Sequence, residues 1–256
     1  ALSSLPRHLV VAYGLLIVYA CLNPLTGWRV PGLPLLDYLT APWPRYFTWL
    51  DLAFNVLGFL PFGFCLAPLL GQHMAPGWAV LLAAAAGSTL SFSLETIQNF
   101  LPSRVASNVD LGCNSLGALL GALAGARWGP ALFDRRGGLH RWRQRRVLPD
   151  RLGDLGMVLL GLWLLAQLSP ASALFVTGDL RELLDLPQPL PFDPGRYMRL
   201  EAAVAATSLL AMGLMARQLM RRPGYLALLA LVLLGIATKT LANASFFIPP
   251  EPLHWA

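Results

Sequence analysis

The chain has 256 residues, of which 56% are hydrophobic and 12% charged, with a mean hydropathy of +0.57. Soluble domains carry about 25% charged residues, so this composition excludes an ordinary soluble domain. The net charge of +6 and pI near 9.7 do not point to nucleic acid, because the arginines sit in short segments between apolar runs, where they set membrane orientation.

Several apolar runs reach the roughly 20 residues needed to cross about 30 Å of hydrocarbon. The chain therefore reads as an all-α polytopic transmembrane helix bundle with about seven spans. Span one covers about 8–25, followed by an interfacial loop at 26–46 rich in Pro and Trp (Trp28, Pro31, Pro34, Trp43, Pro44). Span two covers about 47–70 and holds Pro61, which removes a backbone donor from the helix and frees the Leu57 carbonyl. Span three covers about 78–101. Ser107 or Asn108 can cap span four, at about 109–127. A basic segment, 128–151, reads as a cytoplasmic loop. Span five follows at about 152–169, then an acidic outer loop at 170–196 with room for a short amphipathic helix near 179–186. Spans six and seven fall at about 197–217 and 225–244, and the proline-rich tail 245–256 reads as irregular.

Arginine placement orients the bundle. With 127–151 inside, Arg7, the eight arginines of that segment, Arg217, Arg221 and Arg222 make 12 of the 19 basic residues cytoplasmic. The positive-inside rule then predicts the N-terminus inside and the C-terminus outside.

Three polar signatures interrupt the apolar sequence. They are Asp51…Asn55-Val-Leu-Gly58-Phe-Leu-Pro61-Phe-Gly63, then Ser91…Glu95…Gln98-Asn-Phe100…Arg104, then Asp110…Asn114…Gly117…Gly121…Gly125. Asp51 and Asn55, Ser91 and Glu95, and Asp110 and Asn114 are each four residues apart, so each pair shares a helix face. The predicted topology brings all three signatures to the outer leaflet. Gly117, Gly121 and Gly125 form a small-residue stripe for close helix packing.

Carboxylates inside membrane helices are costly and mark functional sites by default. Glu95, the deepest, is the leading functional candidate. Asp110 reads either as a first-turn partner of the helix dipole or as part of a site, and Asp51 likewise sits near an interface. Asn55, Gln98 and Asn114 suit interhelical hydrogen bonds as well as ligand contacts. Arg104 is either a counter-ion for a carboxylate or a donor to an anionic headgroup. Glu201 and Lys239 can pair with each other or extend the cluster. The scattered Cys21, Cys65 and Cys113 and the four dispersed histidines give no metal spacing, and no cofactor motif is present. Ser91, below Glu95, is the one candidate hydroxyl nucleophile.

In the order and spacing of these signatures, about 50–127 resembles the VanZ-like family of bacterial membrane proteins. The resemblance implies a multi-pass protein of the bacterial inner (plasma) membrane with 1–127 as a four-helix core; the three further helices of 152–256 rest on the apolar runs alone and carry no motif of the family. It marks Asp51, Asn55, Glu95, Gln98, Arg104, Asp110 and Asn114 as the shared polar core. The family's founding member is associated with teicoplanin resistance, and glycopeptides act on cell-wall precursors outside the membrane. The expected function is binding of a lipid or lipid-linked envelope precursor headgroup in an outer-leaflet pocket. The alternatives are an intramembrane enzyme using Glu95 and Asp110 as acid and base, and a structural or partner-binding protein.

Overall fold

The computed structural model describes residues 3–32, 34–43, 48–134, 138–148, 151–168, 174–175, 193–221 and 224–247. The described chain is helical, and it divides into two compact units, Ala1–Trp142 and Arg143–Ala256. The expected amphipathic helix at 179–186 lies outside the described residues.

In the first unit, α1 spans Leu5–Leu22, α2 Trp49–Leu70, α3 Pro76–Gln98 and α4 Asn108–Phe133. Each boundary has a local cause. Asn23 is extended (φ −60°, ψ 135°), as the residue before Pro24 must be, so α1 stops at Leu22 rather than reaching the expected residue 25. The Thr48 side chain accepts from Asp51 N–H while the Asp51 carboxylate accepts from Thr48 N–H, a reciprocal capping box that starts α2. Pro76 opens α3 at a position that needs no amide donor. Ser107 caps α4 by accepting from Asp110 N–H at 3.3 Å. The segment after α1 carries a 3-10 turn, Asp37–Leu39.

α2 and α4 make the most extensive contact of the bundle, and glycine is the reason. A Cβ on Gly117, Gly121 or Gly125 would land on the carbonyl oxygen of Val56, Leu60 or Phe64 respectively, and one on Gly63 would land on that of Ala118. The three pairs advance together by four residues, so α2 and α4 run parallel with backbones in direct contact. α3 runs the other way alongside both, with Gly87 set against the Ala118 methyl. Ile17 and Leu22 of α1, Phe59 and Phe62 of α2, Leu94 of α3 and Ala118 of α4 form the buried core.

The basic segment departs from the expected loop. α4 continues to Phe133 because its apolar face persists: Phe133 meets the Phe64 ring edge-on at 6.2 Å, and Gly129 packs on Pro68. A second helix, α5, spans Gly138–Arg146, where Arg, Gln and Leu are all good helix formers.

In the second unit, α6 spans Arg151–Ala166, α7 Pro194–Leu219 and α8 Tyr225–Phe247. The last extends three residues, 245–247, into the tail expected to be irregular. Arg143 and Asp154 are 4% and 0% exposed and form an ion pair, so Arg143 is not a solvated loop arginine. Glu201 and Lys239, expected to pair, form no ion pair with each other among the described residues; Lys239 is buried and Glu201 half-buried.

Among the described residues, α1, α2, α3, α4 and α7 are long and apolar enough to cross a membrane. The 22 residues of α2 rise about 33 Å at about 1.5 Å per residue, enough for the hydrocarbon core. Their outward faces suit lipid: Leu57 and Leu123 are exposed, and Trp49, Trp78 and Trp128 stand exposed at helix ends, as interfacial anchors do.

Candidate functional site: a polar cavity at one end of the first unit

The antiparallel order of α1 to α4 brings the end of α1, the start of α2, the end of α3 and the start of α4 to one end of the first unit. The three polar signatures therefore meet, as the spacing predicts. A cavity of about 470 Å³ opens there, within the range of small-molecule sites. Tyr13 to Cys21 line it from α1, Phe54 to Phe59 from α2, Glu95 and Gln98 from α3, Asp110 and Asn114 from α4, and Ser103 to Val105 from the α3–α4 loop.

Glu95 is 3% exposed, and its Oε2 accepts from the Ser107 N–H at 2.9 Å. The deepest carboxylate thus anchors the residue that caps α4. Asp110, in the first turn of α4, accepts at Oδ1 from Asn55 Nδ2 at 2.9 Å, which ties α4 to α2. Asn114, one turn deeper and 3% exposed, donates from Nδ2 to Ser91 Oγ at 3.0 Å and joins α4 to α3. Its Oδ1 is buried and has no hydrogen-bond partner. Gln98 Nε2 donates to the Cys21 carbonyl at 3.0 Å, joining α3 to α1. Asn55, Gln98 and Asn114 are therefore interhelical glue and cavity lining at once.

Arg104 has a use that neither sequence reading named. Its Nε donates to the Asn23 carbonyl at 2.9 Å and its Nη2 to the Ala20 carbonyl at 3.0 Å. It closes the C-terminal end of α1, where orphan carbonyls and the dipole favour a cation, and it forms no ion pair with Glu95 or Asp110. Arg104 keeps further N–H groups beyond these two bonds and is part of the cavity lining. Asp51, by contrast, is exposed and engaged with Thr48 at 2.8 and 3.0 Å. It is a capping residue outside the cavity lining.

Sequence reading missed the strap that follows α1. Tyr38 Oη lies 3.2 Å from Thr96 Oγ1, Asn99 Nδ2 donates to the Leu35 carbonyl, and Asn108 Nδ2 to the Ala41 carbonyl. These bonds lay the strap against the cavity end of α3 and α4. The one available sequence signal was a run of amides and hydroxyls flanking the second signature, at Thr96, Asn99 and Asn108.

The arrangement presents two carboxylates, one guanidinium and a free amide oxygen around a space reaching the bundle end. Such a site can bind a polar headgroup or exchange protons with one. Ser91 is fully buried and is not part of the cavity wall, so the single candidate nucleophile is out of reach. Among the described residues, no three His, Cys, Asp or Glu side chains gather as a metal ion would require.

The family model described as VanZ/LLP1 matches residues 11–128, the region that builds the cavity. No curated protein and no solved structure matches the chain.

Proposed function

We propose that this VanZ-like membrane protein binds the headgroup of a membrane lipid or lipid-linked envelope precursor, in a cavity that faces the outer leaflet of the bacterial inner membrane. The observation that carries the reading is the cavity itself, where polar side chains of all four helices line one space at a bundle end. The arginine distribution supports the side, since it leaves the cavity end opposite the basic segment. The exposed apolar faces of α2 and α4 support an approach by lipid, whose acyl chains can stay on the helix surface while the headgroup enters. A link to glycopeptide resistance follows if the bound headgroup belongs to a cell-wall precursor.

The test is mass spectrometry of lipids that co-purify with the wild type and with Glu95→Gln, after both are shown to melt alike. The expected result is one headgroup class retained by the wild type and lost in the variant. Equal, unselective lipid in both would overturn the pocket reading in favour of a structural role. A catalytic reading draws on the fact that Glu95 and Asp110, its acid–base candidates, share the cavity. Turnover of a purified lipid with a bell-shaped pH profile would favour it over simple binding.

A further inference from the structure

We propose that the group received by this cavity is a primary ammonium, as on an aminoalkyl phosphate headgroup, held by Glu95, Asp110 and Asn114. The proposal deepens the headgroup reading above and rests on it.

The hydrogen-bonding groups of the cavity wall favour this ligand. Each side-chain amide of the wall spends one N–H on a neighbour: Asn55 Nδ2 on Asp110, Gln98 Nε2 on the Cys21 carbonyl, Asn114 Nδ2 on Ser91. Arg104 commits two nitrogens to the end of α1. Acceptors on the two carboxyl groups and on Asn114 also stand open. Glu95 is bonded through Oε2 alone and Asp110 through Oδ1 alone, and Asn114 Oδ1 has no partner although the residue is 3% exposed. An unsatisfied buried acceptor costs about 1–3 kcal/mol, so Asn114 Oδ1 favours a ligand that donates to it. Two carboxyl groups and one guanidinium line the cavity, and two of the guanidinium's nitrogens are bonded to carbonyls at the end of α1, so an added cation suits the wall better than an added anion.

A primary ammonium suits both the open acceptors and the carboxyl groups, with three N–H donors and a compact charge. The other common headgroup chemistries each fail on one count. A trimethylammonium has charge but no N–H. A glycerol offers hydroxyl donors without charge. A bare phosphate brings further acceptors and further negative charge. In an aminoalkyl phosphate, the phosphate can rest near the uncommitted N–H groups of Arg104 while the amine enters the acidic side. A phospholipid and an amino-sugar phosphate carrier both present this chemistry.

The test titrates the purified full chain with four water-soluble probes: dihexanoyl phosphatidylethanolamine, its choline and glycerol counterparts, and glucosamine 1-phosphate. The expected result is affinity for the ethanolamine lipid or the amino-sugar phosphate about tenfold or more above the choline and glycerol lipids, the span of one charged hydrogen bond. Whichever amine binds tighter names the source. Glu95→Gln and Asp110→Asn should each remove that preference, while Asp51→Asn should keep it. Choline or glycerol lipid binding as tightly as both amines would overturn the ammonium assignment and leave the headgroup pocket standing. No saturable binding of any probe would overturn the pocket reading, and the assignment with it. Should the carboxylate variants fail to fold, the wild-type ranking decides alone.

Discussion

The glycine stripe of α4 makes a quantitative prediction. In Gly121→Ala, the added methyl would fall on the Leu60 carbonyl oxygen of α2. Replacing Gly by Ala within a helix gains about 1 kcal/mol in propensity. Against this stands overpacking, which costs about 1–3 kcal/mol, and here the obstacle is backbone that cannot rotate aside. The cost belongs at or above the top of that range, leaving a net loss of about 2 kcal/mol. For a chain of this size that lowers the melting temperature by about 4–8 °C. Gly112 is the internal control, because a Cβ there meets nothing within 4 Å. Gly112→Ala should be neutral or stabilising in the same detergent. The assay is thermal unfolding of both variants beside the wild type. A Gly121→Ala protein that melts with or above the wild type would refute backbone contact between α2 and α4. Gly117→Ala, nearest to Asn55, should in addition weaken the Asn55–Asp110 bond and with it any headgroup binding.

Other substitutions separate structural from functional roles. Thr48→Ala removes one half of the capping box and should cost about 1 kcal/mol in a melt while leaving lipid capture intact; lost capture at normal stability would return Asp51 to the site. Arg143→Met removes the cation paired with the buried Asp154 and should cost up to about 3–5 kcal/mol, whereas Arg143→Met with Asp154→Leu should recover part of it; a double-mutant cycle with no coupling would contradict the buried pair. Glu95→Ala leaves the Ser107 N–H without its acceptor and should cost about 1–3 kcal/mol, but Glu95→Gln keeps an oxygen there and should melt close to wild type. Orientation is checked with a membrane-impermeant maleimide in intact cells, on chains with the native cysteines replaced. Val105→Cys at the cavity rim should label and His73→Cys in the α2–α3 turn should not; the reverse pattern would invert the bundle.

Much of this architecture was legible in the sequence because membrane helices announce themselves by length and period. The i,i+4 pairs fixed shared faces, and alternating helix direction was enough to bring Asn55, Glu95, Gln98, Asp110 and Asn114 to one end. The stripe Gly117, Gly121, Gly125 announced close packing, although only the structure names Val56, Leu60 and Phe64 as what it packs on. The partners of loop side chains were not legible. Arg104 bonds carbonyls more than 80 residues earlier, and nothing in spacing encodes a contact with a carbonyl, which every residue possesses. Asp51 shared a face with Asn55 yet turned to Thr48, since a first-turn carboxylate can serve its own helix end. Arg143 looked like one more orientation signal because charge counting cannot see which arginine folds inward onto an aspartate.

The claim at the centre of the account is that this cavity receives a headgroup, and photo-crosslinking in living cells tests it most directly. Benzoylphenylalanine at Leu16, on the cavity wall, is compared with the same residue at Leu123, an exposed position of α4. The account predicts one headgroup class captured from Leu16 and a sample of bulk membrane lipid from Leu123. The same bulk mixture at both positions would contradict it.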